Sequence, residues 1–233
     1  MAQSADPGTR TWLFDLDGTL VASVERFHAA YCAALGAIGR PEVDEPTFLA
    51  RYRSGELATS LSLPADAADG FWRRLMEFFV ARGDLASLLP GADEALAQLT
   101  ARGDRIALVT GRAASEEAVR DELRGHGLDS YFASVVTLGE LSGLRLTASG
   151  AVTKIRLFER ACAELEIEPA AAALVTDWPV ELDEGLEFGF GTCVGVLTGG
   201  YRREDFPADP RVRTVADLTE FAHLLASMEG VPA

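Results

Sequence analysis

Apolar positions along this chain follow two periods, and the change between them divides it. Trp12-Leu13-Phe14 is an unbroken apolar run, which predicts a strand buried on both faces. Residues 23–88 then read as almost wholly helical. From Val24 to Ile38, Val24, Phe27, Tyr31 and Leu35 fall at helical spacing; from Phe71 to Val80, Phe71, Trp72, Leu75, Met76 and Phe79 repeat it. Asp44, Pro46, Pro64 and Gly83 are natural breaks. From Pro90-Gly91 onward, short apolar runs alternate with helical stretches. Strands are predicted at Arg105–Thr110, Val135–Leu138, Ala172–Thr176, Cys193–Leu197 and Val212–Val215. Helices are predicted through Leu99, over Glu116–Leu123 (Ser115 as cap, Gly125 as stop), Thr153–Leu165, Leu182–Phe188 and Leu218–Met228. Strands alternating with helices imply an α/β fold, a doubly wound parallel sheet. The helical block between the first and second strands is too long for a simple crossover. The expected division is a core of residues 1–22 and 89–233 and an inserted helical domain of residues 23–88.

Composition narrows the class. The 233 residues are 48% hydrophobic and 24% charged, enough for one core with a small second domain. No apolar run reaches membrane-spanning length, and Met1 to Arg10 is a polar stretch, read as a loose tail without a signal peptide. Cys32, Cys162 and Cys193 are widely spaced, which suggests reduced thiols in a cytoplasmic protein. The net charge of −15 argues against nucleic acid or an anionic membrane as partner. It does not exclude a small phosphate ester, because a metal ion and one or two cations can invert the sign within a cleft.

The candidate chemistry sits at strand ends. Asp15 and Asp17 follow the first apolar run two positions apart, so on an extended strand they share a face while Leu16 points away. Two acids at the carboxyl end of a buried strand are costly unless a cation or a reaction needs them. The carboxyl ends of such strands are where open α/β sheets bind ligands. Gly18 turns the chain next. The pair suits phosphoryl transfer, one carboxylate attacking phosphorus and the other moving protons. Mg²⁺ prefers carboxylate, water and phosphate oxygens. The plain alternative is an acidic turn after a strand. Thr110-Gly111-Arg112 ends another strand, where a hydroxyl and backbone amides can donate to phosphate oxygens; Arg112 either assists or is solvated. Lys154, the sole lysine of the chain, opens a helix, a place the helix dipole does not favour for a cation. Asp177 ends a further buried strand, and Glu181, four residues on in the following turn, can converge with it on one cation. Asp183 and Glu184 read as solvated acids at a helix start.

Phe14-Asp15-Leu16-Asp17-Gly18-Thr19-Leu20 resembles the first signature of the haloacid dehalogenase-like (HAD) superfamily, mostly Mg²⁺-dependent phosphatases. Thr110 is similar to its second signature, Thr153-Lys154 to its third and Thr176-Asp177-Trp178-Pro179-Val180-Glu181 to its fourth. In that last stretch Thr176 stands for a usual Gly, Trp178 for a small residue and Glu181 for Asp. Val196–Tyr201 looks like the strand and turn that close the core in phosphoglycolate phosphatase-like members, and is expected to carry no chemistry. The helical block matches the place of the inserted cap. The resemblance implies Asp15 as nucleophile and Asp17 as general acid/base. It implies phosphate contacts from Thr110, Lys154, Gly111 and Arg112. Mg²⁺ would bind at Asp15, the Asp17 backbone carbonyl and Asp177, supported by Glu181. The expected function is hydrolysis of a small phosphorylated metabolite through an aspartyl-phosphate. A sugar-phosphate mutase and a catalytically impaired binding protein are the alternatives; Asp17 argues against a dehalogenase. Arg51, Arg53 and Ser54 beside Gly55 either meet an anionic group or form a solvated turn. His28 and His126 read as surface or packed residues. The Phe71-Trp72 and Phe78-Phe79 pairs are either domain core or a dimer face, leaving monomer or homodimer open.

Overall fold

The computed structural model describes residues 10–57, 59–81, 86–141 and 153–228. The expected tail through Arg10 lies almost wholly outside the described residues, and so does the break at Gly83. The chain divides into two compact units. Over the described residues one comprises 10–20, 88–141 and 153–228, the other 21–57, 59–81 and 86–87.

The first unit is built on six parallel strands: β1 (Thr11–Phe14), β2 (Arg105–Thr110), β3 (Ser134–Thr137), β4 (Ala172–Thr176), β5 (Thr192–Val196) and β6 (Val212–Val215), in the order β3-β2-β1-β4-β5-β6. The α/β, doubly wound expectation holds. All four residues of β1 are buried, as an interior strand requires. Trp12 and Phe14 lie edge-on to Phe221, with ring centroids 5.3 Å and 6.1 Å away. Phe221 belongs to the helix Leu218–Met228. Leu13, on the other face, joins a core with Leu157, Phe158 and Ala161 from the helix Ile155–Leu165. Alternation therefore sends Asp15, the next odd-numbered position, toward the helix that Lys154 precedes. Buried Asp104 accepts from the Arg10 N–H at 3.0 Å and the Trp12 indole N–H at 3.1 Å.

Several boundaries differ from the sequence expectation. The strand stops at Phe14 with a bend at Leu16, so Asp15 and Asp17 are not two positions of one extended strand. The helix expected from Thr153 starts at Ile155. The helix expected from Leu182 starts at Pro179, where a missing N–H costs nothing.

The second unit is helical: α1 (Val24–Ala37), α2 (Glu45–Arg53) and α3 (Ala65–Val80). Asp44 and Pro46, read as breaks, in fact open α2. The Asp44 side chain accepts from the Thr47 N–H at 2.9 Å, and Pro46 sits in the first turn. Tyr31, Leu35, Phe48, Phe71 and Leu75 form the core of this unit, with Trp72 and Phe78 packed against it; Phe79 is buried too. The buried Arg26 donates through Nε to the Phe79 carbonyl at 2.7 Å, its guanidinium 4.0 Å from the Phe79 ring centroid. A cation at the carbonyl end of α3 is favoured by the helix dipole.

Candidate active site

Strand order reverses between β1 and β4, neighbours in the sheet that both run from the centre of the fold. Such a reversal opens a crevice at the strand ends. Asp15 leaves β1 and Asp177 leaves β4 at that point. The Asp15 N–H extends the ladder to the Val175 carbonyl at 2.9 Å, which fixes where its side chain starts. Both carboxylates are buried, 5% and 3% exposed, so each needs a partner.

Asp15 finds one in Lys154, whose ammonium donates to Oδ1 at 2.6 Å. Lys154 also pairs with Glu181. Glu181 in turn accepts from the Thr176 hydroxyl at 2.7 Å. Two residues that look like separate departures in the sequence thus form one contact: the hydroxyl standing where glycine is usual orients the longer acid. The Lys154 backbone N–H donates to Glu184 at 2.8 Å. Glu184 therefore corrects the reading of a merely solvated acid; it fills an orphan donor at the start of a helix.

Among the described residues Asp177 forms no ion pair. Its Oδ1 accepts from the Thr19 hydroxyl at 3.0 Å, while its N–H donates to the same hydroxyl at 2.9 Å. Gly18 turns the chain at φ +83°, and the Thr198 hydroxyl donates to its carbonyl at 2.5 Å. A Cβ at Gly18 would lie 2.3 Å from Asp177 Oδ2, and one at Gly199 only 1.6 Å. Two glycines thus leave the Asp177 carboxylate its space. The turn after β5, expected to carry no chemistry, shapes the site through Thr198 and Gly199.

Thr110 is buried at the end of β2, and its hydroxyl oxygen accepts from the Arg112 N–H at 3.3 Å. Gly111 runs beside the lysine; a Cβ there would lie 3.6 Å from Lys154 Cε. Arg112 is neither solvated nor free. Nε and Nη2 donate to the two oxygens of Asp17 at 2.6 Å and 2.7 Å. Nη2 also donates to Glu122 Oε1 at 3.2 Å, and Nη1 pairs with Oε2.

Five carboxylates (Asp15, Asp17, Asp177, Glu181, Glu122) meet two cations, Lys154 and Arg112. Protonation reflects that imbalance. Burial pushes Asp15 above the usual carboxylate range against the pull of Lys154. Burial and the charges of Asp15 and Glu181 hold Asp177 well above it. Burial and the Asp15 charge raise Glu181 to about 8. Burial opposes the charge of Lys154, but Asp15 and Glu181 prevail and hold it above the lysine range. The raised acids mark a place that favours added positive charge. Among the described residues no group of three or more His, Cys, Asp or Glu side chains forms a metal cage. Mg²⁺ does not need one, because it is usually held by one or two carboxylates with water and phosphate completing its shell. Asp15, Asp177 and the Asp17 carbonyl fit that donor set.

The other candidates make local contacts of their own. In the helical unit His28 bonds the Val43 carbonyl at 2.7 Å and packs on Phe48, centroids 5.0 Å apart. Arg51 donates to the Tyr31 hydroxyl at 3.4 Å, and Ser54 to the Arg51 carbonyl at 3.3 Å. His126 caps the end of the helix Glu116–Gly125. Burial pushes the Cys162 and Cys193 thiols up to about 11 and about 12, which leaves them inert.

The family model of haloacid dehalogenase-like hydrolases matches residues 9–189. Tyrosine-protein kinase PtkA of Mycobacterium tuberculosis is 28% identical over 207 residues, 88% of this chain and 67% of its own length. A phosphoglycolate phosphatase of Vibrio parahaemolyticus is 31% identical over 135 residues, 53% of this chain and 58% of its own. Among solved structures, a hydrolase from Pseudomonas syringae superposes with a TM-score of 0.70 at 22% identity, covering 96% of this chain and 100% of that one. That likeness concerns the fold.

Proposed function

The chain belongs to the haloacid dehalogenase-like hydrolases, and from that premise we propose that it is a Mg²⁺-dependent phosphatase of small phosphate monoesters, working through an aspartyl-phosphate on Asp15. The observation that carries this reading is the buried Asp15, held by Lys154 at 2.6 Å beside the strand that delivers Asp177. Phosphoglycolate phosphatases among the curated relatives support it.

In the first step an Asp15 oxygen attacks phosphorus and the bond to the leaving oxygen breaks. The Asp17 carboxyl gives that oxygen its proton. In the second step water attacks the phosphorus of the aspartyl-phosphate, the Asp17 carboxylate takes the proton, and phosphate leaves with the Asp15 carboxylate restored. Lys154 offsets negative charge on Asp15 and on the phosphoryl oxygens, and Glu181 with Thr176 keeps its ammonium in place. The Thr110 hydroxyl and the amides of Gly111 and Arg112 donate to phosphate oxygens. Asp15, the Asp17 carbonyl and Asp177, with Glu181 in support, would hold Mg²⁺, which would supply charge neutralisation between the two anions that must meet. Catalysis is positioning plus electrostatics, as is usual in phosphoryl transfer. Residues 1–22 and 89–233 make the catalytic core, and residues 23–88 are the inserted cap that sets substrate choice. The protein is cytoplasmic, and its partner is a small phosphorylated metabolite rather than nucleic acid or membrane.

Phosphate release from a panel of small esters, with Mg²⁺ and with chelator, tests the reading. Asp15→Asn should lower turnover by on the order of 10⁴-fold or more with an unchanged circular dichroism spectrum. Retained turnover overturns the nucleophile assignment. A PtkA relative adds one control, ATP with a tyrosine peptide: phosphotyrosine formed without phosphate release would place the chain with the kinases.

A further inference from the structure

Both oxygens of Asp17 are engaged by one guanidinium, Nε at 2.6 Å and Nη2 at 2.7 Å. In that arrangement each oxygen already accepts a charge-assisted hydrogen bond from Arg112. If Asp17 acts as the phosphatase reading requires, the pair must open during the first step. Arg112 is only 13% exposed, and a largely buried cation stripped of its carboxylate is strongly disfavoured. The structure holds an answer to that difficulty. Glu122, from the helix Glu116–Gly125, takes Nη1 and shares Nη2. A guanidinium has five donors in a fixed fork, so it can serve two carboxylates edge to edge. Asp17 and Glu122 therefore compete for one cation.

We infer that Glu122 is a positioning residue, which holds Arg112 when it leaves Asp17 and so lets the Asp17 carboxyl turn to the leaving oxygen. The inference rests on the phosphatase reading. The Glu122 carboxylate bonds to Arg112 through both oxygens, so its effect passes through Arg112. With Glu122 neutralised, Arg112 keeps Asp17 as its one charged partner among the described residues and the pair opens less readily.

The consequence depends on the leaving group. An alkoxide needs a proton as the P–O bond breaks; p-nitrophenolate leaves without one. Glu122→Gln should therefore lower kcat/KM, which reads the first step alone, for an alkyl ester such as ethyl phosphate by on the order of 10–100-fold, within the range that general acid catalysis supplies. The loss of kcat/KM on p-nitrophenyl phosphate should be clearly smaller, because the second step, common to both esters, does not enter it. Glu122→Asp, which keeps the charge, should restore part of the alkyl activity; it also serves should the glutamine variant fold poorly in a thermal melt. Equal losses on both esters, or none on either, overturn the inference and leave the phosphatase reading standing. A wild-type protein that releases phosphate from neither ester with Mg²⁺ present overturns the phosphatase reading and this assignment with it.

Discussion

Gly199 shows how much a single position can decide. It contributes no side chain, yet a methyl group there would stand 1.6 Å from Asp177 Oδ2, so the carboxylate or the turn would have to move. Gly199→Ala should destabilise the protein by about 1–3 kcal/mol, the usual penalty for overfilling a packed site, and weaken Mg²⁺ binding. Chemical denaturation and a Mg²⁺ titration measure the two effects, and wild-type Mg²⁺ affinity in the variant would show that the turn, and not the Asp177 carboxylate, gives way. Thr176 teaches a related lesson. Its identity departs from the family pattern, and its hydroxyl reaches the other departure, Glu181, at 2.7 Å. Two substitutions that weaken a motif match when counted singly are one hydrogen bond when placed in space.

Elements carry these residues to their places by local rules. Leu13 and Asp15 share a face of the chain leaving β1, and the helix packed on that face is the one Lys154 precedes. Trp12 and Phe14 spend the opposite face on Phe221. The helix carrying Glu122 is fixed at its start by Ser115, whose hydroxyl accepts from the Ala118 N–H at 3.3 Å. Ser115→Ala should lower stability by about 1 kcal/mol, read as a shift in the urea midpoint at constant m-value. No shift would mean that water satisfies those amides equally well. Two of the boundaries that moved from the sequence expectation did so through helix-start chemistry. Asp44 and Pro46 begin a helix instead of breaking one, and Pro179 opens a helix three residues before Leu182.

At the scale of the whole molecule the acids of the site make stability depend on pH. Glu181 is raised to about 8 in the fold from an ordinary 4.5; Asp15 and Asp177 move the same way. Between those values the folded protein holds a proton that the unfolded chain has lost. Stability from this source is therefore fully present at low pH and falls as pH rises through the folded value. Without metal, Tm should drop between about pH 5 and about pH 8. Mg²⁺ favours the ionised acids and competes with their protons, so its stabilising increment in Tm should be larger at about pH 8 than at about pH 5. Differential scanning fluorimetry with and without Mg²⁺ reads this directly. An increment independent of pH would separate the raised acids from the metal site.

The linear chain by itself determined the frame and most of the candidate chemistry. The apolar run of β1, the alternation of strands and helices after Pro90, the long helical insertion and the acids at strand ends are local patterns, set by neighbours a few residues apart. Whatever depends on residues distant in the chain was decided only in three dimensions. Glu122 meets Asp17 through Arg112 across 95 and 10 positions, and Thr198 reaches Gly18 across 180. No periodicity or spacing carries such pairings. They arise because parallel strands bring their carboxyl ends, and the turns that follow them, to one edge of the sheet.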